Sequence, residues 1–303
     1  MTTGQIGIFA LGDAAHGFFE FSLRPGAEPQ ALASAIESVK APRSTVGGVN
    51  RVIGFRPSLW QRLAPDDVPA NVHDFEHEIH GPDDYVMPAT QADVWLWLAA
   101  ATYDIVFDLG KEAAESAAPF ATLVRETTGW SYRHNRDLTG FEDGTKNPTL
   151  DQAPEIVLID EGKPGAGGSV LLFQLWRHET TWQTLEEPTQ ERVIGRTKLD
   201  SIELDKATMP ADSHVSRTTI KAGDNELKIF RRNVPYGTVA DHGTVFIGFS
   251  AEQARMHRML EQMAGIGGPR DALTRYTTPL TGAYYFVPSM QSLRRFTPPE
   301  VDD

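Results

Sequence analysis

The segment from residue 136 to 148, RDLTGFEDGTKNP, carries acidic side chains between two glycines. Gly140 and Gly144 allow a backbone with positive φ, or a close approach to a flat ligand. Asp143 lies between them, and a loop carboxylate can take a proton from a bound molecule or return one to it. Asp-Gly is also a common turn dipeptide, so a plain surface turn is the alternative interpretation.

Histidines provide a second set of candidates, and the chain has nine of them. His73, His77 and His80 have i, i+4, i+7 spacing, which on a helix would place three possible metal ligands on one face. The metalloprotease pattern His-Glu-x-x-His is absent, and the interleaved acidic residues indicate a solvated face, so we expect no metal there. His214, in the segment DSHVSR, stands alone, and by spacing alone structural packing is its default role.

Two adjacent arginines occur in the segment from 229 to 237, IFRRNVPYG. Neighbouring side chains on a strand point to opposite faces, so either Arg231 or Arg232 is expected to face inward. A buried guanidinium is costly unless an anion meets it, whereas a solvated edge pair needs no such partner. The sequence has no Gly-x-Ser-x-Gly elbow and no phosphate-binding glycine motif, which argues against a serine hydrolase or a nucleotide-binding enzyme.

Composition excludes several classes of protein. Lys and Arg number 28 and Asp and Glu number 41, so the formal net charge is −13 and we expect no nucleic-acid partner. The chain has no cysteine, which rules out disulfides, iron–sulfur clusters and thiolate-ligated haem. The longest apolar run, residues 94–101, is far shorter than the ~20 residues of a membrane span. With no recognisable export signal in the sequence, we expect a cytoplasmic protein without a membrane partner.

The elements that must position these residues follow from hydrophobic periodicity. In the first half the pattern predicts helices over residues 29–39 and 72–79, a strand over 103–108, and a long helix over 111–128 capped by Gly129. In the second half it predicts strands over 169–176 and 244–249, with a short helix over 187–195. A capping box of Ser250 and Gln253 predicts the start of a last helix, running to about Gly265.

This order of elements is similar in the two halves. A strand followed by a long helix occurs in each, which predicts two α+β units of one design with a break between residues 149 and 154. A length of 303 residues agrees with two domains or one duplicated unit.

Taken together, the segments resemble the dye-decolourising peroxidases, a haem enzyme family, and in particular its bacterial B-type subfamily. The family's Gly-x-x-Asp-Gly motif matches residues 140–144, and the segments 212–217, 230–237 and 281–289 (DSHVSR, FRRNVPYG and TGAYYFVPS) are also typical. The resemblance implies an α+β fold of two duplicated ferredoxin-like domains, of the dimeric α+β barrel type. Residues 1–148 would carry the distal loop, and residues 149–303 would form the haem-binding domain.

The resemblance also implies roles for individual residues. His214 matches the axial ligand of the haem iron, Asp143 the distal acid–base aspartate, and Arg231 the distal arginine. Asn233 matches the distal polar residue. Arg232 would then point away from the haem, although a slip of one residue in the strand would exchange the two arginines.

Two further positions complete the expected haem site. Phe246 matches the apolar wall of the distal pocket, with Thr244 beside it. The second ring nitrogen of His214 should donate to a carboxylate, which makes the iron ligand more basic. Glu226 and Asp271 are both candidates for that carboxylate, and the sequence does not choose between them.

The function implied is a peroxidase that binds haem b and uses hydrogen peroxide to oxidise dyes, phenolic compounds or Mn(II). A haem carrier or iron-releasing protein is the main alternative, and a cofactor-free barrel is a third interpretation. Long apolar faces lead us to expect a homo-oligomer. Some relatives dock into an encapsulin shell through a C-terminal extension, but the segment from 296 to 303, FTPPEVDD, contains no obvious docking peptide.

Overall fold

The computed structural model describes residues 3–44, 47–133 and 135–297. Its helices are α1 (Pro29–Glu37), α2 (Pro57–Leu63), α3 (Tyr103–Ala117), α4 (Ala153–Val157), α5 (Glu187–Ile194), α6 (His214–Thr218), α7 (Gln253–Ala264) and α8 (Met290–Leu293). Its strands are β1 (Ala15–Leu23), β2 (Arg43–Ser44), β3 (Gly47–Gly48), β4 (Asn50–Phe55), β5 (Ile79–His80), β6 (Val86–Met87), β7 (Val94–Ala100), β8 (Ala121–Trp130), β9 (Ser169–His178), β10 (Lys221–Ala222), β11 (Asn225–Glu226), β12 (Phe230–Arg231), β13 (Val234–Gly237), β14 (His242–Ser250), β15 (Thr277–Pro279) and β16 (Ala283–Val287).

An antiparallel barrel forms the centre of the described part of the chain. Ten strands are hydrogen-bonded in the order β12-β14-β13-β8-β1-β7-β4-β16-β9-β15, and β14 also pairs with β9. That additional pairing runs from Gly243 opposite Arg177 to Ser250 opposite Val170, and it closes the sheet on itself. The fold is therefore the α+β barrel that the sequence predicts, because strands of both halves enter one closed sheet.

Strand alternation divides the apolar residues between the inside and the outside of the barrel. One buried cluster joins inward-facing residues of the two halves, including Phe18, Trp95, Phe173, Val245 and Tyr285. The outer faces of the first-half strands pack on α1, α2 and α3, while those of β9 and β16 pack on α7. In the second half, the layer between the sheet and α7 lies outside the barrel, and a cavity in this layer leaves the barrel interior intact.

The prediction for residues 103–128 is wrong in its order of elements. Residues 103–117 form helix α3, where a strand and only the start of a helix were expected, and residues 121–130 form strand β8. Pro119 explains the helix end, because proline within a helix removes a backbone hydrogen bond and clashes with the preceding turn. Gly129 therefore lies within a strand, opposite His16 of β1, and caps no helix.

The predicted helix over residues 72–79 is also wrong, because residues 72–78 are irregular and β5 begins at Ile79. Side-chain bonds hold this segment in place. Asp74 accepts hydrogen bonds from Arg56 Nε and from the backbone and hydroxyl of Ser58. Gln253 bonds both the amide and the carbonyl of His73. Its periodicity had suggested a helix, but tertiary hydrogen bonds keep the chain irregular.

The other elements agree with the sequence, apart from the cap of the last helix. The helices predicted near 29 and 187 and the strands predicted near 169 and 244 all form. Helix α7 starts after Glu252, and Ser250 Oγ accepts from the Glu252 amide. Gln253 bonds His73 instead of completing a capping box, so that part of the prediction is wrong. Among the described residues, no helix has the length and apolar character needed to cross a membrane.

The closure of the barrel depends on a glycine at the start of the β9–β14 pairing. A Cβ at Gly243 would lie 1.8 Å from the Trp176 carbonyl oxygen, so we expect Gly243→Ala to lower the free energy of unfolding by about 3 kcal/mol. Gly223→Ala is the control, because its Cβ meets open space and only its φ of +61° is unfavourable, a cost of about 1 kcal/mol. Urea unfolding followed by circular dichroism checks this, and equal losses in the two variants would contradict it.

Candidate active site

A cavity of about 1320 Å³, including its open mouth, lies between the outer faces of β9 and β14 and the helices α6 and α7. The structure brings all the site residues predicted from the sequence to its walls: Asp143, His214, Arg231, Asn233, Thr244 and Phe246. These residues come from a loop of the first half and from three separate segments of the second.

His214 is the first residue of α6, and a buried carboxylate orients its ring. Its Nδ1 lies 2.7 Å from Asp271 Oδ2, and Asp271 is fully buried. The carboxylate is itself fixed, because Asp271 Oδ1 accepts from the Leu273 amide at 2.9 Å. A carboxylate acceptor at Nδ1 places the ring proton there, which leaves the Nε2 lone pair for a metal.

The same geometry resolves the choice between the two candidate carboxylates. Glu226 also lines the cavity, but its Oε1 lies 3.5 Å from Lys146 Nζ. Asp271 is therefore the partner of His214, while Glu226 is paired with a lysine. Because 57 residues separate His214 from Asp271, the spacing of residues in the sequence could not predict this pairing.

The Gly-x-x-Asp-Gly loop has the positive-φ backbone that its glycines suggested. Gly140 and Gly144 have φ of +89° and +72°, the left-handed region that favours glycine. Between them, Asp143 Oδ1 accepts a hydrogen bond from Asn233 Nδ2 at 2.8 Å. Asn233 Oδ1 in turn accepts from the Ile247 amide at 3.3 Å, so β14 orients the amide that holds the carboxylate.

A second asparagine joins this loop to the arginine strand. Asn147 Nδ2 donates to the Arg231 carbonyl at 2.8 Å, and the Arg231 amide donates to Asn147 Oδ1 at 2.9 Å. This two-bond clamp fixes the backbone of Arg231, whose side chain lines the cavity. No role was predicted for Asn147 from the sequence, although it lies near the end of the loop motif at residues 136–148.

Arg232 lies on the opposite face of the strand, as alternation requires. Its guanidinium carbon lies 5.1 Å from the centre of the Trp97 ring, and its Nη1 donates to the Ile8 carbonyl at 2.8 Å. Burial lowers the pKa of Arg232 to about 10. The two arginines are therefore not a solvent-exposed pair at a sheet edge. Arg231 faces the cavity, and Arg232 packs against an aromatic ring of the barrel interior.

Thr244 and Phe246 lie on the outer face of β14, beside a histidine that sequence reasoning passed over. His178 Nε2 lies 3.0 Å from Thr244 Oγ1. Burial, with a smaller effect of His242, lowers the pKa of His178 to about 4. His178 is therefore neutral at physiological pH and serves as a hydrogen-bonding part of the wall.

Asp137 is a further carboxyl of the cavity that sequence reasoning missed. Burial, followed by the charge of Asp143, raises its pKa to about 6, although hydrogen bonds from Thr139 oppose the rise. The amide of Thr139 donates to Asp137 Oδ1 at 2.8 Å. A carboxyl group with a pKa of about 6 gains and loses its proton near neutral pH. Asp137 lines the same cavity as Asp143, the carboxylate of the glycine loop.

The residues of the cavity fit a haem. The Nε2 atom of His214 could bind the haem iron, and the walls near α7 are apolar, with Met259, Leu260 and Met263. Arg196, Arg231, Lys146 and Lys228 also line the cavity and could pair with propionates. Gln174 Nε2, on the outer face of β9, is a buried donor without a hydrogen-bond partner, as expected where a bound group completes the wall.

The remaining histidine candidates do not form a metal site. In the described part of the chain, no group of three or more His, Cys, Asp or Glu residues could hold a metal ion. His80 pairs with Glu78 at 3.5 Å near the surface.

Fold and cavity thus fit one class of protein, the haem proteins, with a histidine, a carboxylate and an arginine lining the same cavity. Comparison with known proteins makes the assignment specific. Residues 30–131 match the family model for the N-terminal part of Dyp-type peroxidases, and residues 134–292 match that for the C-terminal part. The chain belongs to the Dyp-type peroxidase family, and it is a haem-dependent peroxidase.

Individual relatives and solved structures agree with this family assignment. A dye-decolorizing peroxidase of Mycobacterium tuberculosis is 36% identical over 270 residues, covering 82% of this chain and 80% of the relative. One of Rhodococcus erythropolis is 34% identical, covering 91% and 84%. The structure of DyPB from Rhodococcus jostii RHA1 superimposes with a TM-score of 0.88 at 33% identity, covering 96% of this chain and 97% of that one. A Dyp-type protein of Shewanella oneidensis gives a TM-score of 0.90 at 27% identity, covering 98% and 100%.

The raised pKa of Asp137 predicts a pH-dependent stability. Between pH 3.8, its ordinary pKa, and about 6, the unfolded chain loses this proton while the folded chain retains it. The folded state therefore becomes relatively less stable as pH rises through this window, and the penalty is fully present above it. We expect the melting temperature of Asp137→Asn, relative to wild type, to rise from about pH 4 to about pH 7.

Thermal unfolding of the two proteins at a series of pH values checks this expectation. The exposed carboxylate variant Asp200→Asn provides the control and should track wild type throughout. A constant difference between Asp137→Asn and wild type would show that Asp137 does not titrate in this window.

Proposed function

We propose that this chain activates hydrogen peroxide with Asp143 and Arg231, and that it passes oxidising equivalents singly to dyes, phenolic compounds or Mn(II). The observation that carries the proposal is that Asp143, Arg231 and Asn233 share one cavity with the carboxylate-held His214. A binding protein needs only the axial ligand, whereas peroxide cleavage also requires proton transfer and charge stabilisation.

His214 and Asp271 serve to hold the cofactor. Haem b, when bound, supplies the iron at which the O–O bond of peroxide is cleaved. Asp271 keeps the imidazole of His214 in one tautomer and in one orientation, and its negative charge makes Nε2 a stronger donor. Phe246 and Thr244 contribute an apolar and a hydrogen-bonding surface to the opposite strand wall.

Asp143 is placed to move a proton between the two oxygens of peroxide. One oxygen must lose a proton, and the other must gain one as it leaves, so a single carboxylate can perform both transfers in turn. The Asn233 amide holds one carboxylate oxygen at 2.8 Å, which leaves the second oxygen for the peroxide. Asn233 is therefore a positioning residue, and Asp143 carries the proton.

Arg231 supplies fixed positive charge. Negative charge develops on the departing oxygen, and a guanidinium already in place stabilises it without reorganisation. The Asn147 clamp holds the strand that carries it. Arg231 can also pair a haem propionate. Burial, with a smaller effect of the nearby Arg231 charge, lowers the pKa of Arg196.

The relatives support these roles. Structures of the Rhodococcus jostii protein in complex with heme include variants of one aspartate, one arginine and one asparagine, and the last two lie two positions apart. Arg231 and Asn233 have the same residue types at the same spacing. A further structure of an asparagine variant is described as a complex with manganese, which supports Mn(II) as a substrate class. The haem-carrier alternative is not favoured by these similarities.

We also propose that the protein is a homo-oligomer. The first turns of α3 expose Tyr103, Ile105 and Phe107, and Val124 on β8 is exposed as well, which is the kind of surface that a second copy can cover. The division at residues 148 and 149, the cytoplasmic location and the B-type assignment stay predictions of the sequence. Residues 298–303 of the segment considered for encapsulin docking lie outside the described residues. The expectation that this segment contains no docking peptide stays a prediction of the sequence.

Loss of the axial imidazole is the first test. We expect His214→Ala to lose haem, and Asp271→Asn to weaken haem retention by about 10–100-fold, because the ligand becomes less basic. The Soret absorbance per mole of protein measures both. His178→Ala and His242→Ala are matched controls that should retain the band. An unchanged spectrum in His214→Ala would show that another residue holds the iron.

The second test concerns peroxide activation. We expect Arg231→Leu to slow the reaction with peroxide by about 10²–10³-fold, and Asp143→Ala by about 10²–10⁴-fold, with haem retained. The double variant should fall short of the product of the two effects, because both residues act on one step. Stopped-flow absorbance of the haem-loaded protein measures the rates.

Arg232→Leu tests the assignment of the strand faces. It removes a guanidinium from the opposite face and should lower stability while leaving the peroxide reaction near the wild-type rate. Near wild-type rates in both Arg231→Leu and Asp143→Ala would contradict the proposed mechanism.

A further inference from the structure

Helix α6, which carries His214, buries none of its own side chains. It spans five residues, from His214 to Thr218, and all of them keep some contact with solvent. A helix of this length is not stable in isolation, so contacts with neighbouring segments must fix its position. The contacts that hold α6 therefore also determine how far the His214 imidazole reaches into the cavity.

The N-terminal end of α6 is bonded to the segment that contains Asp271. The Asp271 carboxylate lies 2.7 Å from His214 Nδ1. The Asp212 carbonyl, two residues before the helix, accepts from the Ala272 amide at 2.7 Å. These contacts fix the start of the helix and the orientation of the ring. The direction of the helix depends in addition on the contacts of its other end.

Arg217 bonds the C-terminal turn of α6 to α7. Its Nε and Nη2 donate to the Gln262 carbonyl at 3.0 and 2.9 Å. Gln262 lies in the last turn of α7, where the carbonyls form the negative end of the helix dipole and attract a cation. Helix α7 is itself anchored in the core, since Met256 and Leu260 are fully buried. Arg217 therefore holds the short helix against a firmly packed one.

Gly268 provides the space that the guanidinium of Arg217 occupies. A Cβ at Gly268 would lie 2.8 Å from Arg217 Nη1 and 3.1 Å from Nη2, so a side chain at this position must displace the end of Arg217. The φ angle of Gly268 is not in the left-handed region, so its backbone is open to alanine. The substitution Gly268→Ala thus disturbs the Arg217–Gln262 contact without changing Arg217.

We propose that Arg217 is a positioning residue for His214, and that its two bonds to the end of α7 set how closely Nε2 of His214 approaches the haem iron. The proposal rests on the axial role of His214 proposed above. A metal ligand needs a position accurate to about 0.5 Å, which the residues behind it must supply. Lysine at position 217 would keep the charge but offer one flexible donor in place of a rigid fork, so it should retain only part of the effect.

The test compares Arg217→Met, Arg217→Lys and Gly268→Ala with wild type, all loaded with haem. In Arg217→Met we expect the iron–histidine stretching band of the ferrous protein, measured by resonance Raman spectroscopy, to shift to lower frequency. Transfer of haem to excess apomyoglobin should become about tenfold faster, at the lower end of the range for residues that support a metal ligand. Arg217→Lys and Gly268→Ala should show smaller changes in the same direction, because they weaken the contact without abolishing it.

Arg258→Met is the matched control. Arg258 is exposed and lies on α7 one turn before Gln262, and its Nη2 donates to the Lys221 carbonyl of β10 at 3.0 Å. The variant removes the same charge as Arg217→Met and should keep the wild-type band and transfer rate. Equal changes in Arg217→Met and Arg258→Met would show that charge acts and position does not, which would overturn the proposal. An unchanged band in Arg217→Met would overturn it as well.

Two further measurements separate this proposal from folding and from the proposed function. Circular dichroism of the haem-free proteins reports folding. If Arg217→Met does not fold, Gly268→Ala decides, and an unchanged band in that variant overturns the proposal. The band should be absent from His214→Ala. Its presence there would contradict the axial role of His214, whereas its absence there together with an unchanged band in Arg217→Met would contradict the positioning role alone.

Discussion

The hydrogen-bonded pairing of β9 with β14 is the constraint on which the rest of the structure depends. It closes the barrel, and its two faces have different neighbours. Leu171, Phe173 and Val245 point into the shared apolar interior, whereas Gln174, Thr244 and Phe246 point outward and line the cavity. Because side chains alternate strictly along a strand, a slip of one residue in this pairing would exchange the two sets. The same register therefore buries the apolar side chains of the interior and places Gln174, Thr244 and Phe246 at the cavity.

The site is assembled from distant segments by bonds to backbone and amide groups more than by ion pairs. Two asparagines join the glycine loop to the arginine strand, one through Asp143 and one through the backbone of Arg231. Amides are suited to this role because each offers a donor and an acceptor without bringing charge into a buried region. The charges that remain, on Asp143, Arg231 and Asp271, are then available for chemistry or for holding His214.

Sequence reasoning predicted the elements with clear periodicity and the residues with a family motif, but it failed where tertiary contacts decide. The first two turns of the helix of residues 103–117 contain Ile105, Val106 and Phe107, residue types that favour a strand, yet the segment is helical and packs against β1 and β7. Its end was readable from Pro119. The irregular segment before β5 is held by Arg56 and Gln253. Asp271 was distinguishable from Glu226 only through the 2.7 Å contact of its Oδ2 with His214 Nδ1. Long-range partners of this kind leave no periodic signal in the chain.

Charge distribution connects the cavity to the acidic remainder of the chain. A guanidinium that lines a cavity with apolar walls, as that of Arg231 does, is costly unless an anion compensates it, and haem propionates are anions of the required kind. Exposed cations such as those of Lys221 and Arg258 remain in water and gain little from any anion. Within one acidic chain, the enclosed cations therefore suit a permanently bound cofactor. Burial, more than the number of charges, determines which anion stays.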